Sequence, residues 1–139
     1  MCLAEFQPLI EEKNLVLSFH SSHNNIEASI DVEAVYKIFE NLLSNAIKYS
    51  DKEIKIELRK LHLTTPSLEL EIKNDGILLS ENEVKNIFKP FHRSSEHYQI
   101  EGSGLGLALA HSFASLHGGS LFFKENSEKM NIFVLQLPL

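Results

Sequence analysis

Four polar side chains have types and spacing that could bind a metal–phosphate ligand: Asn41, Asn45, Lys48 and Tyr49. At ~100° per residue, they share a stripe that spans roughly 100° of a helix surface. An amide oxygen can coordinate a hard cation such as Mg²⁺, and an ammonium group can meet a phosphate. The alternative is an ordinary solvated helix face, and this stretch alone leaves that alternative slightly ahead.

A helix is expected to carry this stripe, because Asp31 is a good N-cap and apolar residues then recur at i, i+4, i+7 and i+11. Those apolar residues are Val35, Phe39, Leu42 and Ala46. Since the polar stripe lies beside the apolar one, we expect it to line the edge of a cavity rather than open water.

A second candidate site is a glycine-rich segment with Gly102, Gly104 and Gly106, just before an apolar helix predicted over residues 107–116. Glycines let backbone N–H groups approach an anion, and a helix start adds the positive end of its dipole. The spacing matches neither the Gly-Lys-Ser/Thr loop nor Gly-x-Gly-x-x-Gly. By itself, the pattern is also typical of turns and close packing.

The composition limits the classes of protein that are possible. A chain of 139 residues suits one domain, with 43% apolar and 23% charged residues as in globular proteins. The net charge of −6 argues against nucleic-acid binding and against direct contact with an anionic membrane. A lone cysteine, Cys2, excludes an internal disulfide and a cysteine-based metal site. Without a membrane-length apolar run or secretory signal, the expected compartment is the cytoplasm.

Alternating apolar residues predict six strands, over residues 15–19, 26–30, 54–58, 68–72, 121–123 and 132–137. Residues 6–14 are expected to form a short extended segment and a turn. Ser80 and Glu83 form a capping box that opens a short helix ending before Pro90. The order ββαββα–loop–αββ predicts a single domain over residues 1–139. We expect an α/β (α+β) two-layer sandwich, with a mixed, mostly antiparallel sheet and about three helices on one face.

Four motifs, at residues 41–49, 74–77, 88–91 and 102–109, follow one another at a characteristic spacing. They resemble the N box, first glycine box, F box and second glycine box of the catalytic and ATP-binding domain of bacterial sensor histidine kinases. That domain has the Bergerat (GHKL) fold, which is shared with DNA gyrase B and MutL-type ATPases. The resemblance covers residues 6–137.

The resemblance implies a role for each matching position. Asn45 would hold Mg²⁺, with Asn41 supporting it one turn earlier, and Lys48 would meet a phosphate. Tyr49 would lie beside the nucleotide, and Arg93 would reach the outer phosphate from a mobile ATP lid. Asn41, Lys48 and Arg93 are thus the expected catalytic residues. The other implied nucleotide-binding residues are Asn74, Asp75, Gly76, Ile77, Phe88, Gly102, Ser103, Gly104, Leu105, Gly106 and Leu107.

The chain departs from the family's first glycine box at Asn74 and Leu78, and from the ATPases of this fold at Asn41. Asn74 stands where the family has an Asp that accepts from the adenine amino group, and Leu78 stands at a second glycine. The Asn oxygen can still accept that bond, whereas Asp75 could replace it only if the turn shifts by one residue. Leu78 suggests a less open adenine pocket. Asn41 stands where ATPases of this fold carry a Glu base, and an amide cannot take a proton from the attacking water, so efficient hydrolysis is not expected.

The function implied by the resemblance is that of the ATP-binding domain of a two-component sensor histidine kinase. It would bind Mg-ATP and donate the γ-phosphate to a histidine on a separate helical hairpin, normally upstream in the same protein, with a response regulator downstream. His62 is the nearest match to the acceptor motif, but it lies between strands, so the acceptor is expected elsewhere. The isolated domain should therefore bind ATP without phosphorylating itself.

Three alternatives remain open at this point. The chain could be a degenerate, non-catalytic interaction module of the same fold, a serine kinase, or an ATPase clamp of the gyrase type. Phe88 and Phe91 are expected in the core, where they would anchor one end of a lid over residues 94–101 that nucleotide orders.

Overall fold

The fold is built on a five-stranded mixed sheet. A computed structural model of the protein describes residues 3–62, 64–92, 104–125 and 128–139. The strands are β1 (Val16–Ser21), β2 (Glu53–Leu61), β3 (Ser67–Asn74), β4 (Ser120–Lys124) and β5 (Asn131–Pro138). Their order is β1-β2-β3-β5-β4, in which only the β1–β2 pair is parallel. The predicted mixed, mostly antiparallel sheet is confirmed.

Helices cover one face of this sheet. They are α1 (Gln7–Glu12), α2 (Val32–Tyr49), α3 (Glu81–Asn86) and α4 (Gly106–Leu116), and a 3₁₀ turn at Ala4–Phe6 precedes α1. The helix α2 packs on β3 and on α4, and α4 packs on β4 and β5. This arrangement confirms the predicted two-layer sandwich with helices on one face.

The longest helix, α2, follows the sequence pattern closely. The carboxylate of Asp31 accepts a hydrogen bond from the Ala34 N–H at 3.1 Å, as expected of an N-cap. The predicted apolar stripe is buried, together with Ile38, Leu43 and Ile47. At the other end, the ammonium of Lys13 donates to the carbonyls of Ile47 and Lys48. A cation at the carbonyl end of a helix stabilises it and satisfies acceptors that have no partner within the helix.

The N-terminal region differs from the prediction in two ways. Residues 4–12 are helical rather than extended, because Phe6 and Ile10, four residues apart, both reach the core, and Phe6 meets the ring of Phe39 edge-on. Residues 26–30 do alternate between half-buried and exposed side chains, as in a strand. That segment pairs with no strand in the described part of the chain, so the predicted second strand was wrong.

The sheet face opposite the helices holds a network of charged side chains at its centre. Glu71 is only 1% exposed, and its Oε1 accepts from the Lys124 ammonium at 2.8 Å. Its Oε2 lies 3.0 Å from Arg59 Nη2 and 3.3 Å from Lys73 Nζ, without the alignment of a hydrogen bond, so that attraction is ionic. Glu57 contacts both Arg59 and Lys73. Three cations thus compensate the buried Glu71 carboxylate.

The same network makes stability depend on pH. The hydrogen bond from Arg59 lowers the pKa of Glu57 against the effect of burial. Burial would raise the pKa of Glu71, but the bond from Lys124 and the charge of Arg59 lower it overall. A carboxylate with a lowered folded-state pKa contributes stability above its unfolded pKa, and that stability is lost as the pH falls through the folded value.

We therefore expect the free energy of unfolding to fall as the pH drops from about 5 towards 3, across and below ordinary carboxyl pKa values. Urea unfolding at a series of pH values measures it. The slope of the free energy of unfolding against pH should be smaller in Glu57→Gln than in the wild type. That variant removes one carboxyl group whose pKa differs between the folded and unfolded states. Glu53→Gln is the matched control, since the Glu53 carboxylate is 45% exposed and lies 4.0 Å from its partner Lys55. Equal slopes in all three proteins would contradict the prediction.

Candidate nucleotide site

A cavity of about 420 Å³ opens between α2, the start of α4 and one end of the sheet. Its volume lies within the usual range for small-molecule sites. Polar residues of α2, residues at the start of α4, and Asn74, Asn131 and Phe133 of the sheet surround it. The lining residues are Asn41, Ser44, Asn45, Lys48, Tyr49, Asn74, Leu79, Ile87, His92, Gly104, Leu105, Gly106, Leu107, Leu109, Asn131 and Phe133.

The polar stripe of α2 forms one wall of this cavity. Asn41, Asn45, Lys48 and Tyr49 all line it, as does Ser44, which lies on the same stripe. Among the described residues, the side chains of Asn41, Asn45 and Lys48 have no hydrogen-bond or ion-pair partner. Two side-chain amides and one ammonium group therefore line the cavity and are available to a ligand.

The start of α4 also lines this cavity. The first bond within this helix runs from the Leu109 N–H to the Leu105 carbonyl at 2.9 Å, so the preceding N–H groups lack acceptors within the helix. A side chain at Gly106 would bring its Cβ to 3.2 Å from Oδ1 of Asn41, which shows how closely α4 approaches α2. Free N–H groups at a helix N-terminus favour an anionic ligand.

Residues on either side of segment 93–103 are held together. The Phe91 N–H donates to the Gly104 carbonyl at 3.0 Å. Gly104 has φ +75°, and a Cβ there would lie 2.7 Å from the carbonyl oxygen of His92. A glycine is required at this position because of both the backbone conformation and the close approach.

The end of β3 contributes a buried amide. Asn74 is 2% exposed and lines the cavity, and its Nδ2 donates to the Asp75 carbonyl at 2.6 Å. Because a carbonyl can only accept, this bond fixes which side of the amide carries the oxygen. The Oδ1 of Asn74 is thus directed away from Asp75 and accepts no hydrogen bond from another described residue.

Asp75 has a different function from its neighbour. Its Oδ1 accepts from the backbone N–H groups of Asp51, Lys52 and Glu53 at 2.9–3.1 Å. Burial would raise the pKa of Asp75, but these backbone bonds lower it overall. Asp75 is not among the lining residues, so its carboxylate holds the turn between α2 and β2 and is not directed towards a ligand.

Gly76 brings this loop onto the end of α2. It has φ +105°, and a Cβ on it would overlap the carbonyl oxygen of Tyr49. A glycine is needed at this point because any side chain would push the loop away from the helix. Gly76 therefore shapes the cavity wall without lining it.

Several residues implied by the motifs lie away from the cavity or outside the described part of the chain. Neither Ile77 nor Phe88 is among the lining residues. Ile77 is 49% exposed, and Phe88 packs against Phe133 and His111. Phe91, expected in the core, is 72% exposed and has a positive φ, so that expectation was wrong. Arg93, Gly102, Ser103 and the predicted lid over residues 94–101 lie outside the described residues.

Other lining residues could not be assigned by motif. Leu79, Ile87 and Phe133 give the cavity an apolar side, and His92 and Asn131 add polar groups. Leu78 does not narrow the cavity as expected, because it is 47% exposed and is not among the lining residues. The next residue, Leu79, lines the cavity instead.

Comparison with known proteins agrees with this geometry. The pattern of the family described as histidine kinase-, DNA gyrase B- and HSP90-like ATPases matches residues 30–139. The chain is 34% identical over 138 residues to sensor protein VanSC of Enterococcus gallinarum, covering 96% of this chain and 37% of that protein. The catalytic domain of the histidine kinase ThkA superimposes with a TM-score of 0.81 at 25% identity, covering 98% of this chain and 86% of that chain.

ThkA has also been solved in complex with the response regulator TrrA, where the kinase matches with a TM-score of 0.77 at 23% identity, covering 98% of this chain and 37% of that chain. The chain therefore belongs to the histidine kinase-, DNA gyrase B- and HSP90-like ATPase family, and its fold is that of a histidine kinase catalytic domain. It spans about a third of the length of the curated relatives that it matches. In the described part of the chain, none of the helices has the length and apolar character needed to cross a membrane.

Proposed function

We propose that this chain is the ATP-binding catalytic domain of a two-component sensor histidine kinase. It binds Mg-ATP in the cavity between α2 and α4 and presents the γ-phosphate to a histidine on a helical hairpin outside these 139 residues. The proposal rests mainly on one observation. The side chains of Asn41, Asn45 and Lys48, which have no partner among the described residues, line the same cavity as the N-terminus of α4.

The donor set suits Mg²⁺. Among the described residues, no three histidine, cysteine or acidic side chains converge on one point, so the protein would offer an amide oxygen, with phosphate and water completing the shell. Mg²⁺ keeps several waters and takes few protein ligands, which fits a site with one amide ligand, Asn45, and Asn41 one turn earlier. When bound, Mg²⁺ neutralises phosphate charge and favours phosphoryl transfer.

The remaining groups position the substrate. Lys48 and the N–H groups at the start of α4 bind the phosphates, and Tyr49 lies beside the nucleotide. The Oδ1 of Asn74 accepts from the adenine amino group, since the amide is already oriented by its bond to Asp75. From the sequence, Arg93, Gly102 and Ser103 add phosphate contacts.

Transfer to a protein side chain is favoured over hydrolysis. An amide at position 41 cannot take a proton from water at neutral pH, and Glu40 lies elsewhere, paired with Lys37 at 2.9 Å. The acceptor histidine and the response regulator are partners of the whole protein, as TrrA is for ThkA.

Calorimetric titration of this chain with a non-hydrolysable ATP analogue tests the proposal. We expect saturable binding that weakens when EDTA removes Mg²⁺, and no phosphate on the chain after incubation with ATP. Absence of binding would favour a non-catalytic module, and steady release of phosphate would favour an ATPase clamp. In the full-length protein, the phosphate should be labile to acid, as on histidine, whereas acid-stable phosphate would identify a serine kinase.

A further inference from the structure

Asn131, the first residue of β5, is a buried polar residue that none of the four motifs contains. It is 4% exposed and lines the cavity. Both ends of its side-chain amide are used. The Oδ1 accepts from the Leu79 N–H at 3.0 Å, and the Nδ2 donates to the Ile77 carbonyl at 2.9 Å.

These two bonds hold the segment that carries Leu78. The carbonyl of one residue and the N–H of the residue two positions later are the groups that an extended chain offers along one edge. The amide of Asn131 thus takes the place of a neighbouring strand. With the segment held in this way, Leu79 lines the cavity and Leu78 is left 47% exposed.

The same pair of strands connects this clamp to the proposed adenine acceptor. Asn131 and Asn74 lie directly opposite each other in the β3–β5 pairing, so their side chains point to the same face of the sheet. Both are buried and both line the cavity. Of these two opposed asparagines, Asn74 is therefore the proposed adenine acceptor, and Asn131 holds the loop beside it.

We propose that Asn131 is a positioning residue for the base of the nucleotide, acting through Leu79. This inference rests on the proposed function, because it assumes that the base occupies the end of the cavity near Asn74. Asn131 keeps Leu79 against the base and Leu78 in solvent. The chain can then carry a leucine where the family has its second glycine without closing the pocket.

Asn131→Asp tests the clamp with minimal change in shape. A carboxylate still accepts from the Leu79 N–H, but its second oxygen would oppose the Ile77 carbonyl, and the lost donor should release the segment. We expect the affinity for the ATP analogue to fall about tenfold, which corresponds to the net contribution of one or two ordinary hydrogen bonds. A thermal melt of each variant establishes that the protein remains folded at the titration temperature.

A double-mutant cycle separates positioning from a merely structural role. Leu79→Ala should also weaken binding, and because Asn131 acts through Leu79, the double variant should bind no worse than the weaker single variant. The matched control is Leu78→Ala, which should bind as the wild type does, because that side chain faces solvent.

Three outcomes would overturn the inference. They are unchanged affinity in folded Asn131→Asp, losses that multiply in the double variant, and an equal loss in Leu78→Ala and Leu79→Ala. If Asn131→Asp does not fold, the comparison of the two leucine variants still decides. A wild-type chain that binds no nucleotide would instead refute the proposed function itself, so the two failures are distinguishable.

Discussion

Replacing Asn45 by alanine is expected to lower the affinity of the chain for Mg-ATP about 100-fold, which is ~2.7 kcal/mol. The variant removes the amide oxygen proposed to hold the metal, and loss of a group that supports a metal site commonly costs 10- to 100-fold. Titration with the ATP analogue in the presence of Mg²⁺ measures the effect. The fold of α2 should be unchanged, because alanine favours a helix and the Asn45 side chain has no partner among the described residues.

Two comparisons make the result specific to the metal. With EDTA present, the wild type and Asn45→Ala should bind with similar weak affinity, because the lost interaction depends on the cation. Asn25→Ala is the matched control, since Asn25 is an exposed asparagine that does not line the cavity. If Asn45→Ala binds Mg-ATP as tightly as the wild type, Asn45 is not part of the metal site.

The second large effect concerns stability rather than binding. Glu71→Gln should lower the free energy of unfolding by about 3 kcal/mol, in the range measured when one partner of a buried ion pair is removed. The variant leaves Lys73, which is 4% exposed, and Arg59 without the carboxylate that lies between them. Urea unfolding at neutral pH, followed by circular dichroism, gives the free energy.

Glu53→Gln provides the control for this variant as well. It makes the same change of charge on the same sheet face, at a carboxylate that is 45% exposed, so a change within about 0.5 kcal/mol is expected. Nucleotide affinity should be unchanged in Glu71→Gln, because Glu71 lies on the face opposite the cavity. Equal destabilisation by the two variants would mean that burial of Glu71 contributes nothing.

The sequence was sufficient to predict the parts of the fold that depend on local periodicity. The apolar and polar stripes of α2 follow from its own spacing, and the helix places Asn41, Asn45 and Lys48 on a cavity wall as expected. The capping box at Ser80 and Glu83 is also present, with both bonds formed. Local hydrogen bonds and period are properties of a short segment, so a short segment predicts them.

The features that were missed depend on contacts between distant segments. Asn131 lies 52 residues from Leu79 in the chain, and only the β3–β5 pairing makes its amide a clamp for that loop. The burial of Glu71 likewise depends on Arg59 from β2 and Lys124 from β4, whereas alternation of polar and apolar residues in a strand is by itself typical of one solvated face. The helix at residues 7–12 was missed because Phe6 and Ile10 are too few to establish a period.

The hydrogen bond between Phe91 and Gly104 has a consequence for how such domains can vary. It joins the residues on both sides of segment 93–103, so the distance between the two ends of that segment is fixed. The entropy of closing a loop grows only slowly with the number of residues, at about 0.6 kcal/mol for each doubling. A change in the number of residues between these two positions should therefore leave the cavity walls built by the helices and the sheet as they are.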